Sequence, residues 1–209
     1  MIDRYARMPK QVLYRPLARR LKLSPSLVTA AGLVAGLLCA VAAALGQYSW
    51  SFGLWILNRA LDGLDGELAR EQGTQSDLGG YLDIVADFAV YTAIPLGLAC
   101  SSQDRLAWPL TAVMVGAFFI NAASLMYLAA LLEKRGQGAA HLGEKTSVTM
   151  PPALVEGGET VIFYSLFLLF PDQLVGLFSL MACLVGVNVM WRLHWAWRHL
   201  ESPARPGLE

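Results

Sequence analysis

Six apolar runs, each near the length that crosses a bilayer, leave this chain little choice of fold. They occupy 27–45, 48–68, 81–100, 106–132, 152–170 and 174–195. A spanning helix needs about 20 such residues, and within lipid only helices and closed barrels satisfy their own backbone hydrogen bonds. Runs this long exceed a barrel strand of about ten residues, so the pattern predicts an all-α integral membrane protein with six transmembrane helices. The breaks between runs are mostly short, such as "GQ", "SSQDR" and "PDQ", and no composition shift or internal repeat marks a second domain. The expected organisation is one domain over 1–209, with a basic segment at 1–22 and a six-helix bundle at 27–195. Charged residues make up only 15% of the chain, and its mean hydropathy is +0.47.

The distribution of basic residues sets the orientation. Sixteen Lys and Arg balance 16 Asp and Glu, so the net charge of zero implies no nucleic-acid partner. Seven of the basic residues fall within 1–22, and with six spans 14 of the 16 lie on the side of the two termini, counting Arg192 at the end of the last run. Both termini are therefore expected in the cytoplasm. Residues 3–22 interleave Tyr5, Met8, Val12, Leu13, Leu17 and Leu21 with Arg and Lys. That pattern suits an amphipathic helix lying on an anionic leaflet. The apolar run that follows is too long for a cleaved signal peptide. Cys39, Cys100 and Cys183 sit far apart in apolar runs and read as small core residues, without metal spacing or a disulfide framework.

Ionisable residues inside such runs are costly and point to function. Asp62, Asp65, Gly66 and Ala69 share one helical face at the end of the second run. Gly79, Asp83 and Asp87 share another at the start of the third. The short loop between makes the two helices neighbours, so four carboxylates converge near the cytoplasmic surface. They would repel one another unless hard divalent cations, Mg²⁺ or Mn²⁺, lay among them. No His or Cys is nearby to favour a softer metal. Arg70 is placed to pair with a phosphate, and the glycines leave room for a ligand. The combination suggests phosphoryl transfer involving a lipid.

Residues 62–87, "DGLDGELAREQGTQSDLGGYLDIVAD", fit D-x-x-D-G-x-x-A-R-x8-G-x-x-x-D-x-x-x-D at every fixed position. The segment resembles the signature of the CDP-alcohol phosphotransferase (phosphatidyltransferase) family. That resemblance implies a phospholipid-synthesis enzyme that moves a phosphatidyl group from a CDP-linked lipid such as CDP-diacylglycerol to an alcohol, releasing CMP. It implies two divalent cations on Asp62, Asp65, Asp83 and Asp87, with Asp87 also the base that deprotonates the acceptor. Gly66, Ala69 and Gly79 would give clearance around the cytidine nucleotide, and Arg70 would hold its phosphate. A homodimer and a multi-pass place in a bacterial inner membrane follow from the same resemblance. Some relatives instead transfer a phospho-alcohol from CDP-alcohol to diacylglycerol.

Other readings stand beside this one. Intramembrane acids can serve a cation transporter, although the acids cluster at one face and no inverted repeat is visible. A non-catalytic lipid-binding scaffold would have little use for four aspartates. Arg59, one turn before Asp62, is read as a neutralising partner, and Glu67 and Glu71 as solvated. Asn58, Asn121 and Ser124 are read as interhelical hydrogen-bonding residues. Lys145 either reaches a phosphate or adds to the cytoplasmic charge. Glu156 and Glu159, early in the fifth run, either shape the acceptor pocket or pair with Arg59 or Lys145. By the same family resemblance, whose branches using phosphorylated acceptors carry basic residues at these places, those two acids and Phe88 after the last Asp weigh toward a neutral or cationic alcohol.

Overall fold

The computed structural model describes residues 14–21, 23–136 and 155–200. The readings for Lys145, and for the basic segment before residue 14, lie outside them. The described residues are helical throughout apart from caps and short turns. A helical stretch at 14–20 is followed by α1 (Pro25–Ala44), α2 (Tyr48–Gln72), α3 (Asp77–Ser101), α4 (Ala107–Lys134), α5 (Gly157–Leu169) and α6 (Leu174–Leu200). Large apolar side chains such as Val34, Val41, Val113, Phe119 and Trp191 lie exposed on the long helices. Among the described residues, four stretches are long and apolar enough to cross a membrane: Pro25–Ala44, Asp77–Ser101, Ala107–Lys134 and Pro171–Leu200. The helix α2 has the length but carries the acids, and α5 is apolar but has only 13 residues, about 20 Å at 1.5 Å per residue.

Local chemistry explains the helix boundaries around the acids. Pro25 opens α1, where its missing N–H costs nothing. Ser24 caps α1 by position only, with no side-chain bond. Gly73 ends α2 with φ of +64°, a left-handed conformation that suits glycine. Three residues later Ser76 starts α3, its hydroxyl accepting from the Gly79 N–H at 3.1 Å. Both Asp–Gly pairs, which in isolation suggest turns, are helical and lie inside α2.

The two acid-bearing helices are not the close neighbours that the short loop suggested. Each packs its backbone against α1, and they meet each other mainly through side chains. Small residues on α1 make this arrangement work. A Cβ at Gly36 would run into Val90 of α3, and the Gly32 carbonyl accepts from Asn58 Nδ2 of α2 at 2.8 Å. On the other side, α4 packs with α6, and α5 packs on α2. A core of Trp55, Tyr164, Phe167 and Phe178, with Trp55 stacked on Tyr164 at 5.5 Å, joins α2 to α5 and α6.

Three expectations are corrected here. Cys39 is buried, but Cys100 and Cys183 lie on exposed faces rather than in the core. Arg192 is not a surface charge at the membrane edge. It is 5% exposed, and its Nη1 donates to the Asn121 carbonyl, Asn121 Oδ1 and Ser124 Oγ across the α4–α6 interface. The interhelical role of Asn121 and Ser124 thus holds, with a donor that the sequence reading assigned elsewhere. Within 14–20, Ala18 is buried beside Val28, Leu64 and Leu68, and Arg15 and Arg19 pair with Glu71 at 2.6 and 3.1 Å. Glu71 is therefore an anchor for this helix and not a solvated acid.

Candidate active site

The C-terminal end of α2, the N-terminal end of α3 and the start of α1 enclose a cavity of about 600 Å³. Asp65, Gly66, Ala69, Arg70, Gly79 and Asp83 all line it. Six residues chosen from sequence spacing thus face one space. Asp62 and Asp87 stand beside this cavity with Arg59, whose Nη2 lies 2.8 Å from Asp87 Oδ1 and whose Nη1 lies 3.6 Å from Asp62 Oδ2.

Asp65 is only 6% exposed, and its Oδ2 accepts from Thr29 Oγ1 of α1 at 2.6 Å. A hydrogen bond to a charged group contributes about 1.5–3 kcal/mol, so Thr29 both stabilises and aims this carboxylate. The sequence reading missed Thr29. A signal existed, because Thr29, Gly32 and Gly36 share the α1 face that packs on its neighbours. Ser24 and Ser26, also on the cavity wall, were missed as well.

Arg70 is about half exposed and is tethered to Glu67, with Nη2 2.8 Å from Glu67 Oε2 and Nε 3.1 Å away. Glu67 is 5% exposed, which corrects its reading as solvated. Its carboxylate turns toward the guanidinium at i+3 and fixes the Arg70 head at the cavity wall. Gly66 lies beside this head: a Cβ there would come 3.5 Å from the Arg70 guanidinium, an ordinary van der Waals contact.

The donor set fits hard divalent cations. Four carboxylates are held near one another from two helices, all ligating atoms would be oxygens, and Arg59 alone cannot balance four negative charges. Among the described residues no three acidic, His or Cys side chains converge closely enough to hold an ion as they stand.

Comparison with known proteins agrees with this geometry. The family model described as CDP-alcohol phosphatidyltransferase matches residues 22–194. The chain belongs to the CDP-alcohol phosphatidyltransferase family. It is 35% identical over 190 residues to the inner membrane protein YnjF of Escherichia coli, covering 88% of this chain and 87% of that one. It is 29% identical over 142 residues to an archaetidylinositol phosphate synthase of Pyrococcus horikoshii, covering 68% and 66%. Its fold is similar to that of the Mycobacterium tuberculosis phosphatidylinositol phosphate synthase PgsA1. The structure of PgsA1 with CDP-DAG bound matches with a TM-score of 0.70 at 22% identity, over 93% of this chain and 98% of that one. The structure with manganese and citrate gives 0.68 at 22%, over 94% and 93%. As a member of the CDP-alcohol phosphatidyltransferase family this protein is a transferase, which sets aside the transporter and scaffold readings.

Glu156 and Glu159 have a different setting from the one expected. Glu156 precedes α5 as its N-cap, its side chain accepting from the Glu159 backbone, while Glu159 Oε2 accepts from the Glu156 N–H at 3.1 Å. This reciprocal capping box satisfies donors at the helix start. It gives both acids a part in capping α5.

Proposed function

We propose that this enzyme transfers a phosphatidyl group from a CDP-linked lipid to an alcohol and releases CMP. The observation that carries this reading is the single cavity lined by Asp65, Gly66, Ala69, Arg70, Gly79 and Asp83. Asp62, Asp65, Asp83 and Asp87 are the residues that would hold two divalent cations, Mg²⁺ or Mn²⁺. The manganese in one PgsA1 structure and the CDP-DAG in another support that assignment. Bound there, the cations would offset charge on the diphosphate and on departing CMP.

The chain's own groups do the rest. Arg70 reaches a phosphate oxygen from the cavity wall, and Gly66, Ala69 and Gly79 leave space for the nucleotide. Asp87 accepts the proton of the acceptor hydroxyl. The alcohol oxygen then bonds to the phosphorus that carries the lipid, and the bond from that phosphorus to the oxygen of CMP breaks. We also read α2 and α5 as crossing the bilayer, so that the single domain spans six times with both termini cytoplasmic. The charges of α2 support this, since Asp65 turns to Thr29, Asp62 to Arg59, Glu67 to Arg70, and Glu71 to Arg15 and Arg19. The similarity to an inner membrane protein of Escherichia coli supports a multi-pass place in a bacterial inner membrane.

The test is purified protein with CDP-diacylglycerol, Mn²⁺ or Mg²⁺ and a panel of alcohols, with CMP and lipid products read by mass spectrometry. CMP appearing together with one phosphatidyl-alcohol is expected. No CMP with any alcohol, under conditions where the protein is folded, would overturn the proposal.

A further inference from the structure

Arg59 is held more tightly than neutralisation alone requires. Its side chain is 12% exposed, and each of its nitrogens has a partner. Nε donates to Asn58 Oδ1 at 2.8 Å, Nη1 to the Tyr91 hydroxyl at 2.9 Å, and Nη2 to Asp87 Oδ1 at 2.8 Å. The guanidinium also lies 4.8 Å from the centroid of the Trp55 ring and 5.3 Å from that of Tyr91.

These partners are themselves fixed to other helices. Asn58 is tied to the Gly32 carbonyl of α1, Trp55 Nε1 donates to Ser165 Oγ of α5 at 3.0 Å, and the Tyr91 carbonyl accepts from the Tyr164 hydroxyl. A fork held by parts of α1, α2, α3 and α5 therefore ends on one oxygen of Asp87. Tyr91 lies one turn beyond Asp87 on α3, so the fork grips two successive turns of that helix. A mobile ammonium could supply the charge at Asp87 but could not make all three directed bonds at once.

We propose that Arg59 is the positioning residue for Asp87, orienting its carboxylate toward the acceptor hydroxyl through the lock formed by Asn58, Tyr91 and Trp55. This rests on the assignment of Asp87 as the base. The sequence reading saw only a neutralising partner in Arg59, because the lock is assembled from residues up to 110 positions apart.

The experiment compares Arg59→Gln, Arg59→Lys, Tyr91→Phe and Asp87→Asn as purified full-length protein, using the acceptor found in the alcohol panel. It measures kcat, the KM for CDP-diacylglycerol, the Mn²⁺ dissociation constant by electron paramagnetic resonance, and the melting temperature. Arg59→Gln should lower kcat roughly 30- to 100-fold, a part of the about 10²- to 10⁴-fold that a correctly placed base supplies. The KM and the Mn²⁺ dissociation constant should stay within about threefold, since misorientation costs turnover rather than uniform binding. Arg59→Lys should recover only a small part of kcat. Tyr91→Phe, which removes one bond from the lock, should lower kcat about three- to tenfold, the worth of one hydrogen bond. It decides the matter if Arg59→Gln does not fold.

Recovery of wild-type kcat in Arg59→Gln at saturating Mn²⁺, with altered Mn²⁺ affinity, would reduce Arg59 to a counter-charge and overturn the inference. So would parallel loss of melting temperature, Mn²⁺ binding and kcat, which is the signature of packing alone. If Asp87→Asn is inactive while Arg59→Gln and Tyr91→Phe keep wild-type kcat, the positioning role fails and the base assignment survives. If Asp87→Asn itself turns over near the wild-type rate, the base assignment fails and takes the positioning role with it.

Discussion

Two sets of acids interrupt otherwise apolar stretches, and the fold treats them in opposite ways. At the junction of α2 and α3, Asp65 and Asp83 face a cavity, and Asp62 and Asp87 stand beside it on an arginine. At the start of α5, Glu156 and Glu159 turn back on their own backbone and close a helix terminus. Both sets are costly in an apolar setting, yet spacing distinguishes them poorly, since acids three residues apart occur in each. What marks the aspartates is polar groups from other helices: Thr29 of α1 donates to Asp65 of α2, and Arg59 of α2 donates to Asp87 of α3. The contrast teaches that an acid in a membrane-length run becomes a candidate for chemistry only after its local backbone has been considered as its partner.

The contrast breaks first at Asp87. Asp87→Asn should cut kcat by at least about a thousandfold, within the range of a lost general base. Binding of CDP-diacylglycerol, followed by titration, should persist because three other carboxylates remain. A smaller but clear effect is expected at Thr29. Thr29→Val removes the hydroxyl that aims Asp65, and a loss of roughly 1.5–3 kcal/mol should appear as weaker Mn²⁺ binding on titration. An unchanged Mn²⁺ affinity would detach Asp65 from the ion site.

At α5 the opposite result is expected. Glu156→Gln and Glu159→Gln should lower the melting temperature modestly, corresponding to about 0.5–2 kcal/mol for a weakened cap, and leave the KM for the acceptor unchanged. A raised acceptor KM with an unchanged melting temperature would restore these glutamates to the substrate pocket and erase the distinction between the two sets. The smallest effect belongs to Glu71. The hydrogen bond from Arg15, and next that from Arg19, holds its carboxyl below the usual range. Stability from this contact is present above the ordinary glutamate range and is lost as pH falls through the lowered value. Glu71→Gln should therefore lower the exchange protection of amides in 14–20 at neutral pH, with kcat nearly unchanged.

Much of the site was legible because its spacing is a property of one short segment. Two adjacent helices carry all eight fixed positions between Asp62 and Asp87, so helical periodicity alone predicts which residues share a face. The helices were legible for a similar reason, since each apolar run has a helix at its centre and only the ends moved. The parts that sequence missed depend on long-range packing. Thr29 meets Asp65 only because small residues let α1 approach α2, and α1 is the helix that both acidic helices pack upon. Glu67 looked solvated because its face points away from Asp62 and Asp65, but its i+3 partner Arg70 folds over it. The capping box at Glu156 was readable from an acid three residues before a second acid at the head of an apolar run, but Glu is an uncommon N-cap beside Ser, Thr, Asp and Asn.

The central claim is that the aspartate cluster is a divalent-ion site that drives release of CMP. Its most direct test is CMP release from CDP-diacylglycerol, with the accepting alcohol present, by wild-type protein stripped with EDTA and then titrated with Mn²⁺, beside Asp83→Asn carried through the same steps. The account predicts no CMP in EDTA, full recovery of wild type on adding Mn²⁺ or Mg²⁺, and no recovery of Asp83→Asn at Mn²⁺ concentrations that saturate wild type. Undiminished CMP release in EDTA, or an Asp83→Asn protein that responds to Mn²⁺ as wild type does, would contradict it.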